Sequence, residues 1–193
     1  MPATPGRPGT ADLPPGQVLI ADLPTVGPEP PPRIGPAEWE LSLITEDGGV
    51  RRWDWAAIRA LPSEQVTVDL HCVHGWSVVD TRWTGVPVAT LFDGVRTTAD
   101  HAVVDSYGGY TTNLPLEDLL EMPTWLVHAF DGQDLTPEQG GPARLLVPHL
   151  YLWKSVRWVR GITLSHRDQP GWYERHGYHN YGDPWREQRF SGD

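Results

Sequence analysis

Apolar and polar residues alternate at Trp39, Leu41 and Leu43, the period-two pattern of a half-buried strand. Asp47-Gly48-Gly49 follows as a turn. Between Arg51 and Leu61 the apolar positions Trp55, Ile58 and Leu61 recur at helical spacing, and Pro62 closes the short helix they predict. β-Branched residues concentrate in Val66–Val73, a predicted strand that ends at Gly75. Trp83–Pro87 reads as a strand-to-turn junction, with Pro87 at the first turn of a helix reaching Phe92. Further strands are expected at His101–Val104, Tyr110–Asn113, Trp125–Phe130 and Ala143–Val147, and alternation returns over Ser155–Leu164. Pro115 to Leu120 predicts a helical turn or two. Many short strands with a few short helices predict an α+β domain of mixed β-sheets.

The two ends break this pattern. Eleven of the 20 prolines fall in residues 1–36. Residues 1–16 are expected to form a flexible Pro-rich leader. Residues 17–193 then form a single domain, entered by an extended arm and closed by a polar, aromatic tail from residue 166.

Composition narrows the function. Fifteen Lys and Arg against 25 Asp and Glu give a net charge of −10, which argues against a nucleic-acid partner. No apolar stretch is long enough for a membrane segment, and no apolar leader precedes the arm, so the expected compartment is cytoplasmic. Ten Trp bring large surfaces whose indole N–H groups need partners when buried. The lone cysteine, Cys72, rules out an intramolecular disulfide and any site built only of protein thiolates.

Two residues stand out against their surroundings. Cys72 ends an apolar strand just before a glycine turn, as either a buried structural thiol or a ligand for a soft metal ion. Strand alternation points its neighbour His71 to the opposite face, which weakens both a zinc cluster and a thiol–imidazole catalytic pair. Arg144 interrupts a Leu- and Val-rich strand. Its guanidinium either reaches the surface or forms a fork for an anionic group, with Lys154, Arg157 and Arg160 nearby in sequence. Phosphate-loop, nucleophile-elbow and H-E-x-x-H patterns are all missing from the sequence.

The segments HCVHGWSVVDTRWTGVPV, SYGGYTTNLPLEDL and EQGGPARLLVPHLYLWKSVRWVRGI, in this order, resemble the sulfite oxidase family of molybdopterin-dependent oxidoreductases. The tail GWYERHGYHNYGDPWREQRF resembles that of the short, haem-free bacterial members, and the arm GQVLIADLPTVGPEPPP is similar to theirs, so the likeness spans residues 17–190. The resemblance implies a sulfite oxidase-like molybdopterin-binding domain carrying Mo-molybdopterin. It implies that the Cys72 thiolate binds molybdenum. Gln139, Arg144, Lys154, Ser155 and Arg157 would hold the pterin and its phosphate, with Ser106 as a hydroxyl contact. Leu23, Pro24 and Thr25 would offer backbone contacts, and Tyr110, His149 and Trp153 would line the substrate channel. The implied activity is oxygen-atom transfer to or from a small S-oxide, N-oxide or sulfite-like substrate, with an unidentified electron donor or acceptor. The alternative is a non-catalytic binding or structural module that keeps the fold.

Overall fold

In the computed structural model, which describes residues 13–24 and 30–193, the arm contributes one short strand, β1 (Val18–Leu19). The leader up to residue 12 lies outside the described residues, whereas Pro14 is already buried. The Asp47-Gly48-Gly49 turn joins β2 (Glu40–Ile44) to β3 (Val50–Asp54). Asp54 then caps α1 (Trp55–Ala60), its carboxylate accepting from the Ala57 amide at 2.8 Å. The helix therefore starts four residues later than the apolar spacing predicts. Val50–Asp54 instead pair with β2 from Ile44↔Val50 to Glu40↔Asp54, and this ladder claims the residues just before Trp55, Ile58 and Leu61, whose helical spacing is kept by α1 and its cap.

β4 (Glu64–Cys72) and β5 (Trp76–Pro87) form a long antiparallel hairpin. Only the last five residues of β5 were expected as strand, because Ser77, Asp80 and Thr81 interrupt the apolar alternation of its first half. There the ladder to β4 supplies the order that the pattern does not show. Then come α2 (Val88–Leu91), β6 (His101–Ser106), β7 (Thr111–Pro115), α3 (Leu116–Leu120), β8 (Trp125–Phe130) and β9 (Gln133–Asp134). β10 (Arg144–Leu146), a 3₁₀ turn at Leu152–Lys154, β11 (Val159–Ser165) and α4 (Trp172–Arg175) complete the described elements.

One sheet runs β1-β5-β8-β10, with β4 on β5 and β9 on β8; the other runs β3-β2-β11-β6-β7. Parallel pairs (β1 with β5, β2 with β11) sit among antiparallel ones, so both sheets are mixed as expected. Side-chain parity divides the core. On β8 and β10, Leu126 and Leu145 join Leu41, Leu43, Val104 and Ile162 in the main cluster. Trp125, Val127 and Leu146 face the other way and join Leu70 and Trp83. Each such aliphatic side chain contributes about 1.5–3 kcal/mol by leaving water. The buried indoles find the partners they need: Trp39 donates to Val159 O at 3.0 Å, Trp83 to Thr81 Oγ1 at 2.8 Å and Trp158 to Pro137 O at 2.7 Å.

A polar cluster joins α1 to β8. Arg59 Nη1 lies 2.6 Å from His128 Nδ1, and since guanidinium can only donate, the imidazole proton sits on Nε2, 3.3 Å from Ser63 Oγ. His128 therefore cannot act as a base toward Ser63. Burial first, then the Arg59 charge, pushes the His128 pKa from 6.5 down to about 4. Between those values the unfolded chain binds a proton that the folded chain refuses, so stability falls as pH drops through this window. His71, depressed by its own burial, adds to the same trend. Urea denaturation at pH 7 and pH 4.5 is expected to show this loss, and His128→Gln is expected to shrink it. An unchanged pH dependence in that variant would contradict the assignment.

Candidate cofactor site

Cys72 ends β4, and the chain reverses through Gly75, whose φ of +88° suits glycine. The Gly75 amide donates to Cys72 O at 3.0 Å, and Gln17 Nε2 from the arm donates to the same carbonyl at 3.1 Å. The thiol itself is buried and faces a cavity of about 520 Å³. Burial raises its pKa, opposed by the His74 backbone hydrogen bond and the Arg189 charge.

The opposite wall is built on the free edge of β10. Leu145 N donates to Val156 O at 2.8 Å and Val159 N to Ala143 O at 3.1 Å, which lays the 155–159 segment along the strand. Arg144, Ser155 and Arg157 are thereby brought together on the cavity. Arg144 shares the face of Leu146, and its guanidinium lies 5.4 Å from the Trp83 ring. It donates to Gln139 O at 3.1 Å and Ser155 O at 3.2 Å, while Nε, also buried, has no partner among the described residues. Five N–H donors with two hydrogen bonds leave a fork with spare capacity. Burial, and secondarily the Arg157 charge, lowers its pKa to about 10, so it remains a cation at neutral pH. Ser155 Oγ accepts from Val147 N at 2.9 Å, which keeps its hydroxyl proton available to a ligand.

Leu23 and Pro24 of the arm, together with Gln139 and Tyr110, complete this side of the cavity. The Tyr110 hydroxyl accepts from Arg157 N at 2.8 Å. Trp153 lines the cavity from the 3₁₀ turn, stacked on Tyr151 with centroids 5.4 Å apart. Gly182 (φ +87°) fits beneath it, where a Cβ would stand 2.6 Å from Trp153 Cζ2. Nine of the residues named from the sequence thus share one cavity.

Three others do not line it. Ser106 Oγ donates to Arg157 O at 2.8 Å, and so braces Arg157 from behind. His149 turns to α3, with Nε2 3.1 Å from Asp118 Oδ2. Lys154 is drawn to β7 and the tail: Nζ donates to Asn113 O at 2.8 Å, Asn113 Oδ1 at 3.0 Å and Asn180 O at 2.8 Å, and pairs with Glu174 at 2.7 Å. Arg160 is exposed, 3.9 Å from Asp105, so the basic cluster expected around Arg144 reduces to Arg144 and Arg157 at the cavity. Thr25 lies outside the described residues.

His74 and Trp76 on the Cys72 side, and Trp172, Tyr173, His176 and Tyr178 on the tail side, also line the cavity, and the sequence assigned none of them to the cofactor site. His74 and Trp76 were within reach, being two and four residues beyond Cys72 across the turn. The tail residues were visible only as an aromatic-rich stretch.

Residues 28–173 match the oxidoreductase molybdopterin binding domain. The uncharacterized oxidoreductase YuiH of Bacillus subtilis (strain 168) is 44% identical over 138 residues, 70% of each chain. The protein-methionine-sulfoxide reductase catalytic subunit MsrP of Burkholderia mallei (strain ATCC 23344) is 27% identical over 167 residues, covering 77% of this chain and 50% of its own. The chain spans about half the length of that relative. Among solved structures, the sulfane dehydrogenase SoxCD from Paracoccus pantotrophus matches with a TM-score of 0.64 at 16% identity, over 72% of this chain and 41% of its own; this likeness is one of fold. These matches overturn the cytoplasmic expectation, because MsrP and SoxCD are periplasmic or secreted oxidoreductases. That expectation rested only on the lack of a membrane-length apolar stretch and of an apolar leader in the sequence. The chain belongs to the oxidoreductase molybdopterin-binding domain family, with the mixed-sheet fold of the sulfite oxidase-like enzymes.

Proposed function

We propose that this protein is a molybdopterin enzyme that transfers an oxygen atom to or from a small S-oxide, N-oxide or sulfite-like substrate, with the Cys72 thiolate bound to molybdenum. One observation carries the reading: a thiol at a strand end faces the same cavity as the guanidinium of Arg144, whose donors are not all used. The donor set fits the cofactor. Among the described residues no group of three or more His, Cys, Asp or Glu could hold a metal, so a metal beside Cys72 would take one soft sulfur from the chain and other ligands from the pterin.

When bound, the cofactor supplies the two-electron oxygen-transfer chemistry. The chain's own part is to bind, orient and enclose. Arg144 and Arg157 offer cationic donors to a phosphate or pterin oxygen, and the Ser155 hydroxyl offers a neutral one. Leu23 and Pro24, which line the cavity, would bring the arm against the pterin. Ser106 fixes the Arg157 backbone, and Tyr110 receives its amide. Trp153, Tyr173 and Tyr178 line the cavity with rings that would keep water from the reacting atoms. Electrons leave or arrive through an external donor or acceptor.

Metal and pterin analysis of protein made in a host with intact cofactor synthesis tests the reading, followed by assays of sulfite, S-oxides and N-oxides with an artificial electron carrier. Stoichiometric molybdenum and turnover of one of these classes are expected. Folded protein lacking molybdenum and pterin would overturn it.

A further inference from the structure

The turn that carries Cys72 is held from outside by both ends of the described chain. Three of its carbonyls are claimed separately. Cys72 O accepts from Gln17 Nε2 and Gly75 N, and Gly75 O accepts from Val18 N at 2.9 Å. Val73 O accepts from Arg189 Nη1 at 2.6 Å. The other arm of the same guanidinium donates to Pro15 O at 3.2 Å. Arg189 thus ties the residue after Cys72 to the arm, across 116 positions of sequence on one side and 174 on the other.

The setting leaves little slack. A Cβ on Gly16 (φ +68°) would meet Arg189 Nη2 at 3.0 Å, and one on Gly75 would meet Gly16 O at 3.3 Å, so arm, turn and tail are in close contact. The guanidinium carbon lies 5.3 Å from the Tyr151 ring, and Tyr151 in turn stacks on cavity-lining Trp153. The Arg189 main chain is fixed too. Its amide donates to Asp193 Oδ2 at 2.9 Å, and its carbonyl accepts from His179 N at 3.1 Å.

We propose that Arg189 is a positioning residue for Cys72: its two-carbonyl bridge fixes the direction in which the thiolate meets the metal and slows loss of the bound cofactor. This rests on the reading of Cys72 as the metal ligand. Its physical basis is that groups behind a ligand set ligand orientation, and removing one commonly costs about 10–100-fold in metal affinity or activity. A planar fork suits two carbonyls at fixed separation better than a point charge does.

The test compares wild-type protein with Arg189→Met, which keeps a stem over Tyr151 and removes all five donors, and with Arg189→Lys. In cofactor-free protein, amide exchange at residues 73–76 is expected to accelerate about tenfold or more in Arg189→Met, the scale of one lost charged hydrogen bond. Exchange in β8 should stay at the wild-type rate. In holoprotein the Mo(V) resonance spectrum is expected to shift and cofactor release to quicken by about 10–100-fold. Arg189→Lys should be intermediate on every measure, and it carries the test alone if the methionine variant does not fold. Unchanged turn exchange and an unchanged spectrum would overturn the proposal, as would equal acceleration throughout the chain. Exchange in cofactor-free protein decides the hold on the turn, whereas wild-type protein without molybdenum overturns the functional reading instead.

Discussion

Cys72→Ser is expected to abolish turnover of the molybdenum enzyme while leaving the fold in place. The substitution exchanges one atom at a position that is 8% exposed and whose backbone is fixed by Gln17 and Gly75. Its cost to stability is therefore that of burying a hydroxyl in place of a thiol, about 1–3 kcal/mol if the hydroxyl finds no partner. The effect on the metal is of another order, since an alcohol is a hard and weakly acidic donor where a soft thiolate is required. Arg144, Ser155 and Arg157 remain, so the variant should still capture pterin. Thermal unfolding, pterin content and turnover measured on one preparation separate these effects. Undiminished turnover would exclude Cys72 from the metal.

Lys154→Met is expected to act through stability. Its ammonium and the Glu174 carboxylate are both almost fully buried and 2.7 Å apart, with side chains 1% and 2% exposed. Removing one member of such a pair strands the other, at a cost of about 3–5 kcal/mol. Glu174 would keep hydrogen bonds from Thr112 Oγ1 and Trp153 Nε1, but among the described residues its Oε2 has no partner and it would lose the ammonium paired with it. Urea denaturation of the cofactor-free protein measures the loss, and the double variant Lys154→Met, Glu174→Gln is expected to recover part of it. A stable single variant that merely fails to retain cofactor would instead return Lys154 to the role of anion anchor.

Legibility in the sequence followed the range of the interactions. Alternation was enough to find β2 and β11, because parity decides which of their side chains are buried, and β-branched content marked β4. Alternation failed for the first half of β5 and for β3, where pairing with a neighbouring strand decides the structure. Arg144 stood out as a charge in an apolar strand, and the structure shows how it is tolerated: two carbonyls and the Trp83 face receive it. Ser155 and Lys154 are adjacent in sequence and diverge in space, since Lys154 is captured by Asn113, Asn180 and Glu174. No local pattern announces those partners. The same holds for the tail, whose Tyr173 and Tyr178 reach the cavity through contacts with distant segments rather than through any periodicity.

The central claim is that the chain contributes one sulfur ligand, from Cys72, to a pterin-bound molybdenum. X-ray absorption at the molybdenum edge of the holoprotein reads it most directly, with Cys72→Ser as the comparison. Two pterin sulfurs plus the thiolate predict three sulfur scatterers in the wild type and two in the variant. An equal sulfur count in both proteins would contradict the account.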